Sequence, residues 1–183
     1  MRARSLSMVS SILVFLALVA ALCAPASAGY RDDIVADVAQ LESKLVELAE
    51  AVPEDKFGWR PAEGVRSVSE SLMHVAAANF FFPTLRGMSP PEGVNPQTLE
   101  QQITEKTEVV ETLKQSFAHA REAIEGVTEE QLSESVNMFG REVSIAGYLH
   151  AIASHGHEHL GQMIAYARSI GVTPPWSAGG GDQ

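Results

Sequence analysis

Six histidines stand at positions 74, 119, 150, 155, 157 and 159 of a 183-residue chain, and three of them crowd into Ser154-His155-Gly156-His157-Glu158-His159. Imidazole nitrogen suits zinc, copper, iron and nickel, so the first question is which of these rings can share one ion. On a helix turning about 100° per residue, His155 and His159 lie about 40° apart on one face, while His157 points the opposite way. Such an i, i+4 pair arises by chance often enough that a third ligand is needed to give it meaning. His74 is the candidate. It aligns with Ala78, Phe81 and Leu85 on one helical face, which predicts a buried face, and an imidazole on such a face must be hydrogen-bonded or metal-bound.

Two zinc-peptidase patterns bear on the cluster. His157-Glu158-His159-Leu160-Gly161 fails H-E-x-x-H, because the fifth residue is glycine. His155-Gly156-His157-Glu158-His159 fits H-x-x-E-H literally, with Glu158 in the general-base position. Enzymes with that pattern use a downstream carboxylate as third ligand, and the only acid after Glu158 is Asp182 in a glycine-rich tail.

Around the pair, Tyr148, Ile152, Gln162 and Tyr166 fall within about 80° of His155 and are expected to surround it. Gln162, Tyr166 and Tyr148, with Phe81 from the face of His74, are pocket candidates, although Gln162 and Tyr166 serve equally well as packing and hydrogen-bonding residues. Glu158, about 60° from His155, is the candidate catalytic proton shuttle, against the simpler reading of a solvated acid. Glu70 has a clear structural use in a helix cap. Trp59 and Trp176 are candidates to close a cavity mouth. Phe80, Phe81, Phe82 and Met73 read as core by default, and His119, among polar positions, reads as exposed. His150 and His157 form a second stripe, suited either to a dimer interface or to ordinary surface.

Four amphipathic helices are predicted to position these groups. Ile34, Val38, Leu41, Leu45 and Leu48 recur at steps of three and four, and Pro53 ends that run. Ser67-Val68-Ser69-Glu70 reads as a capping box opening a second helix to about Arg86. Gly87 to Pro96 is a connection. Asn95-Pro96 is a cap and first-turn pair for a third helix, with Leu99, Ile103, Val110, Leu113, Phe117, Ala120 and Ile124 as its stripe, ending near Gly126. Thr128 to Gln131 caps a short extra helical turn, and Ser135 to Val143 is irregular or briefly extended about Gly140. The last helix runs from Ser144 to Ile170, stopped by Gly171 and Pro174-Pro175. The expected fold is all-α: an antiparallel four-helix bundle over residues 29–176, with a disordered tail at 177–183.

Arg2 and Arg4, the apolar run Met8 to Leu22 and Ala26-Ser27-Ala28 read as an export signal over residues 1–28, cleaved near Ala28/Gly29. The product would be periplasmic or secreted, with no membrane attachment after cleavage. The whole chain carries 13 Lys plus Arg against 23 Asp plus Glu; losing Arg2 and Arg4 leaves 11 against 23. So acidic a surface repels phosphate backbones and disfavours nucleic-acid partners. The single cysteine, Cys23, lies in the signal, so the exported part has no disulfide, thiolate ligand or cysteine nucleophile.

Trp59-Arg60-Pro61, Val65-Arg66-Ser67-Val68 leading to His74, Phe139-Gly140-Arg141-Glu142-Val143, His155-x-x-x-His159-Leu160-Gly161-Gln162 and the Gly171-to-Pro175 exit together resemble the DinB or YfiT-like superfamily, described as metal-dependent hydrolases. The resemblance spans about residues 30 to 176. It implies a four-helix bundle, often a homodimer, holding one divalent ion through His74, His155 and His159. It also implies hydrolase chemistry, or transfer of a low-molecular-weight thiol, on a small molecule. Zinc is the default ion, with nickel, iron or manganese also acceptable to three imidazoles. A non-catalytic metal- or ligand-binding module is the alternative, and a purely helical interaction protein the third reading.

Overall fold

The computed structural model describes residues 29–177; the expected export signal and all but the first residue of the expected tail lie outside them. Helix α1, Tyr30–Ala51, buries Ile34, Val38, Leu41, Leu45 and Leu48 along the predicted stripe. Helix α2, Val68–Phe81, opens on the expected capping box: Ser67 Oγ accepts from the Glu70 amide at 3.2 Å, and the Glu70 carboxylate accepts from the Ser67 amide at 2.7 Å. It is shorter than the sequence suggests. Pro83 lacks an N–H to continue the ladder, so the chain tightens into a 3₁₀ turn over Phe82–Arg86 and leaves through Gly87 at φ 85°.

The third predicted helix is two. A single turn, α3, covers Leu99–Gln102, and α4 covers Lys106–Glu125. Asn95-Pro96 initiates a turn instead of a helix: Asn95 Oδ1 accepts from the Gln97 amide at 3.1 Å. Extended backbone at Ile103 and Glu105 divides α3 from α4, and β-branched Ile103 and Thr104 suit such a break. Freed from the line of α4, α3 packs on α2.

Glu129–Ser133, with Thr128 as N-cap, forms the extra 3₁₀ turn. The crossing that follows is a β-hairpin, although no sheet is evident from the sequence. Strands β1, Ser135–Met138, and β2, Arg141–Ser144, pair antiparallel with Val136 opposite Val143. Helix α5, Ile145–Ser169, is capped by Ser144 Oγ on the Gly147 amide at 3.1 Å and ends before Gly171 at φ 82°.

The four long helices α1, α2, α4 and α5 form a bundle in which α1 and α2 each pack on both α4 and α5. Helices consecutive along the chain therefore face each other across the diagonal within each half. The directions correct the expected antiparallel arrangement. Tyr30 bonds Ala146 near the start of both α1 and α5, and Asp37 bonds His157 further along both, so these two helices run parallel. Asn79 bonds Ser116, and Phe80 packs on His119, so α2 and α4 also run parallel. Lys106 reaches the carbonyls of Glu50 and Val52, which makes α1 antiparallel to α4. Tyr166 reaches Arg66 while His155 meets His74, which makes α2 antiparallel to α5. The chain runs up, down, down, up. A connection as long as 82–105 permits this, since it can return along the bundle before α4 starts.

Gly156 has a packing reason. A Cβ there would lie 2.3 Å from Leu41 Cδ2, so the missing side chain lets α5 approach the buried Leu41 of α1 and sets the rotation of α5 that aims His155 and His159 at α2. No described helix is long and apolar enough to cross a membrane.

Candidate metal centre

His74 on α2 and His155 and His159 on α5 converge: one ring nitrogen from each lies within 4.8 Å of the others. Ring centroids are 4.6 Å apart for 155/159, 4.8 Å for 74/159 and 5.2 Å for 74/155. Antiparallel packing of α2 on α5 supplies this meeting, with 74 opposite the turn that contains 155 and 159.

The hydrogen bonds fix which nitrogens point inward. His74 Nδ1 lies 2.7 Å from Glu100 Oε1; an ionised carboxylate only accepts, so Nδ1 carries the proton and Nε2 of the neutral ring is a free lone pair. For His159 the assignment comes from a chain of contacts. The Arg66 carbonyl can only accept, so Tyr166 donates to it at 3.2 Å; Gln162 Nε2 donates to the Tyr166 oxygen at 2.9 Å; Gln162 Oε1 then accepts from His159 Nδ1 at 2.7 Å. Nε2 of His159 is again the free lone pair. His74 Nε2 and His155 Nε2 approach to 3.4 Å. At a zinc–nitrogen length of about 2.0–2.1 Å, two ligands of a tetrahedral ion stand about 3.3–3.4 Å apart, so the separation suits a shared ion.

Charge at the site favours neutral, ligating rings. Burial, reinforced by the neighbouring His159, His74 and Arg66 charges, lowers the pKa of His155 to about 4. Burial also lowers that of His159, against the opposing bond to Gln162. At Glu100, burial works to raise the pKa, but the bonds from Arg66 and His74 outweigh it and hold the carboxyl below its ordinary value. Arg66 thereby serves both supporting chains: its guanidinium holds Glu100 at 2.7 Å behind His74, and its carbonyl ends the chain behind His159. Such outer partners raise ligand basicity and fix ring orientation. Glu100→Ala should weaken zinc binding about 10–100-fold without unfolding the bundle, as measured by competition with a chromogenic chelator.

The chain's profile match now bears on the site: residues 38–163 match the DinB superfamily. The chain belongs to the DinB superfamily. YjoA of Bacillus subtilis strain 168, an uncharacterised protein, is 28% identical over 131 residues, covering 69% of this chain and 82% of YjoA. Among solved structures, a DinB-like protein from Bacillus cereus ATCC 10987 is 16% identical with a TM-score of 0.68, over 78% of this chain and 93% of that one. YfiT from Bacillus subtilis, described as a probable metal-dependent hydrolase with an unusual four-helix bundle topology, is 11% identical with a TM-score of 0.63, over 82% and 94%. These two likenesses establish a shared DinB fold.

The remaining candidates divide by position. Gln162 and Tyr166 belong to the chain behind His159, and Trp59 packs edge-on against Tyr166 at 5.5 Å instead of bordering the cavity. Phe81 lines a cavity of about 430 Å³ that opens beside His74 and His155. The helix face bearing His74, Ala77, Ala78 and Phe81 is thus half-buried cavity wall, while Leu72, Met73, Val75, Ala76 and Phe80 form the buried face of α2. Tyr148 is elsewhere. It shares the angular sector of His155 but sits two turns, about 10 Å, away along the axis, where it lines a second cavity with Arg86 and Glu122.

Glu158 is exposed and makes no hydrogen bond among those of the described residues. His157 is tied to Asp37 of α1 at 2.9 Å, and His150 is exposed. Trp176 lies under Lys44, whose Nζ is 5.9 Å from the ring centre, away from the cavity. His119 is buried, contrary to expectation, because α4 is covered by α1 on one side and α2 on the other, so its buried arc is wider than one stripe. Burial lowers its pKa, and its ring packs on Phe80 at 5.5 Å. Sequence reasoning missed Glu100, which no local pattern distinguishes from other acids, and gave Arg66 no role beyond its place in a motif.

Proposed function

We propose that this is an exported, metal-dependent DinB protein that carries out hydrolysis or thiol transfer on a small molecule. The observation that carries the reading is the convergence of three imidazoles beside an open cavity, with the Nδ1 atoms of His74 and His159 engaged from behind so that their Nε2 atoms face the point shared with His155. A cation at that point satisfies all three rings, whereas without one only a proton on His155 Nε2, 3.4 Å from His74 Nε2, can bridge a pair of them. YfiT's description as metal-dependent agrees with it. Zinc is the default occupant, and three protein ligands leave a position free for substrate. A divalent ion there would supply Lewis acidity, lowering the pKa of a water or a thiol toward neutral.

The chain's own residues do the rest. His74, His155 and His159 would hold the ion, Glu100 and Gln162 would keep the tautomers of His74 and His159, and the cavity wall would orient the substrate. Among the described residues, Glu100 is engaged by both Arg66 and His74 and Glu158 faces solvent, so neither is placed as a general base. The proton of a water or thiol acidified by a bound ion would therefore pass to solvent. That same lack favours, as second reading, a binding module in which ion and cavity capture a ligand without turnover. The signal read at residues 1–28 supports a periplasmic or secreted location, and a homodimer is the proposed assembly. Purified mature protein, loaded with zinc, should turn over members of a panel of activated esters or thiol-plus-electrophile pairs, with activity lost on chelation and restored by zinc. Stoichiometric zinc without turnover across the panel would leave the binding module.

A further inference from the structure

The cavity beside the histidines has walls that metal binding does not use. Apart from His74, His155, Gln97 and Glu100 its lining is apolar. On α2, His74, Ala77, Ala78 and Phe81 follow the spacing of one helical face, and the two alanines leave room above the backbone. Phe139, at the tip of the β-hairpin, forms part of the same lining. It is 68% exposed, the most of any large hydrophobic residue described, yet its ring is held: it stacks on Phe81 at 5.9 Å and 16° and meets Phe82 edge-on at 6.3 Å.

Its backbone is as unusual as its exposure. Phe139 has φ 55° and is the one non-glycine residue with positive φ among those described, followed by Gly140 at φ 81°. Two positive φ values in a two-residue hairpin loop belong to a type I′ turn, whose first position favours Asn. A bulky aromatic side chain there strains the backbone and leaves a ring in water, and neither serves the hairpin. What it gains is an aromatic wall on the cavity that ends at His74 and His155.

We infer that Phe81, Phe82 and Phe139 form a cleft for a flat apolar group, so that the substrate is an aryl-bearing small molecule whose polar end reaches the point shared by the three histidines. This deepens the proposed function and rests on it. A second copy of the chain is the rival occupant of the exposed ring. The cavity's continuity with the histidine cluster, and a volume of about 430 Å³ within the range of small-molecule sites, favour the small molecule.

Two chelating probes that differ in the aryl group test it. Titrated calorimetrically into the zinc-loaded protein, benzohydroxamate should bind about tenfold tighter than acetohydroxamate, the increment expected of one well-packed ring. Phe139→Asn should reduce that ratio to about threefold or less, leave zinc content and acetohydroxamate affinity unchanged, and raise the thermal midpoint, because Asn suits the turn. Ala78→Leu, which fills the cavity on the α2 side, should reduce the ratio as well. Equal affinity for the two probes in the unsubstituted protein, with zinc bound, overturns the aryl cleft and spares the metal centre; failure of the protein to hold zinc overturns both. Conversion of a dimer to monomer by Phe139→Asn, seen by sedimentation, overturns the cleft in favour of self-association.

Discussion

Replacing His155 with Ala should reduce the zinc content of the purified mature protein from about one ion per chain to near none, a fall in affinity well beyond the roughly 10–100-fold that loss of an outer partner costs. His155 is one of three rings in mutual contact. Its centroid lies within 5.2 Å of His74 and 4.6 Å of His159, and without it only two neutral nitrogens remain. The fold should survive, because His155 is a half-buried cavity wall and not part of the packed core. Metal-free variant and metal-free parent should therefore unfold at similar temperatures near neutral pH, while only the parent gains stability on adding zinc, by mass action on the folded state. Elemental analysis of protein made without a histidine tag, with thermal unfolding alongside, decides it. Full occupancy in the variant would refute the site.

Acidification should destabilise the metal-free protein through the same ring. Burial holds the His155 pKa at about 4 in the folded state, against about 6.5 when unfolded. Between these values the unfolded chain binds a proton that the folded chain does not, so stability is full above about pH 6.5 and is lost as pH falls toward 4; below that this group adds no further slope. Each pKa unit corresponds to about 1.4 kcal/mol, and the ring's partial access to solvent reduces the whole effect to about 1–2 kcal/mol. His159 and His119, also shifted down by burial, act in the same direction. His155→Ala isolates the contribution: urea unfolding of parent and variant at pH 7 and pH 4.5 should show the parent losing more. Equal losses would mean that this ring does not titrate as described. In the zinc-loaded protein the same window should release the ion, as protons compete for the ligating nitrogens.

The helices were legible because burial imposes a period. Ile34 to Leu48 announce α1, Ser67 and Glu70 announce the cap of α2, and Gly171 announces the end of α5. Elements whose form depends on neighbours were not. Leu99 and Ile103 continue a helical stripe on paper, yet α3 separates from α4 to pack on α2. Ser135 to Ser144 is too short to show an alternating pattern, yet it closes into a hairpin because Val136 meets Val143 and Asn137 Oδ1 accepts from the Gly140 amide at 3.0 Å. Tyr148 shows the limit of angular reasoning: a shared helix sector places two residues on one side of the axis and says nothing of the distance along it.

By itself the sequence determined that His155 and His159 share a helix face, that His157 does not, and that His74 belongs to another helix; these follow from a fixed rotation per residue. Resemblance of motifs joined the three into one set. Only the tertiary structure decided that α2 runs antiparallel to α5, that Glu100 and Gln162 stand behind two of the rings, and that Phe139 is held over Phe81. The reason is that helical geometry is dictated by bonds between residues three and four apart, whereas the direction of neighbouring helices and the partner of a buried nitrogen depend on contacts across the bundle, for which local spacing carries no record.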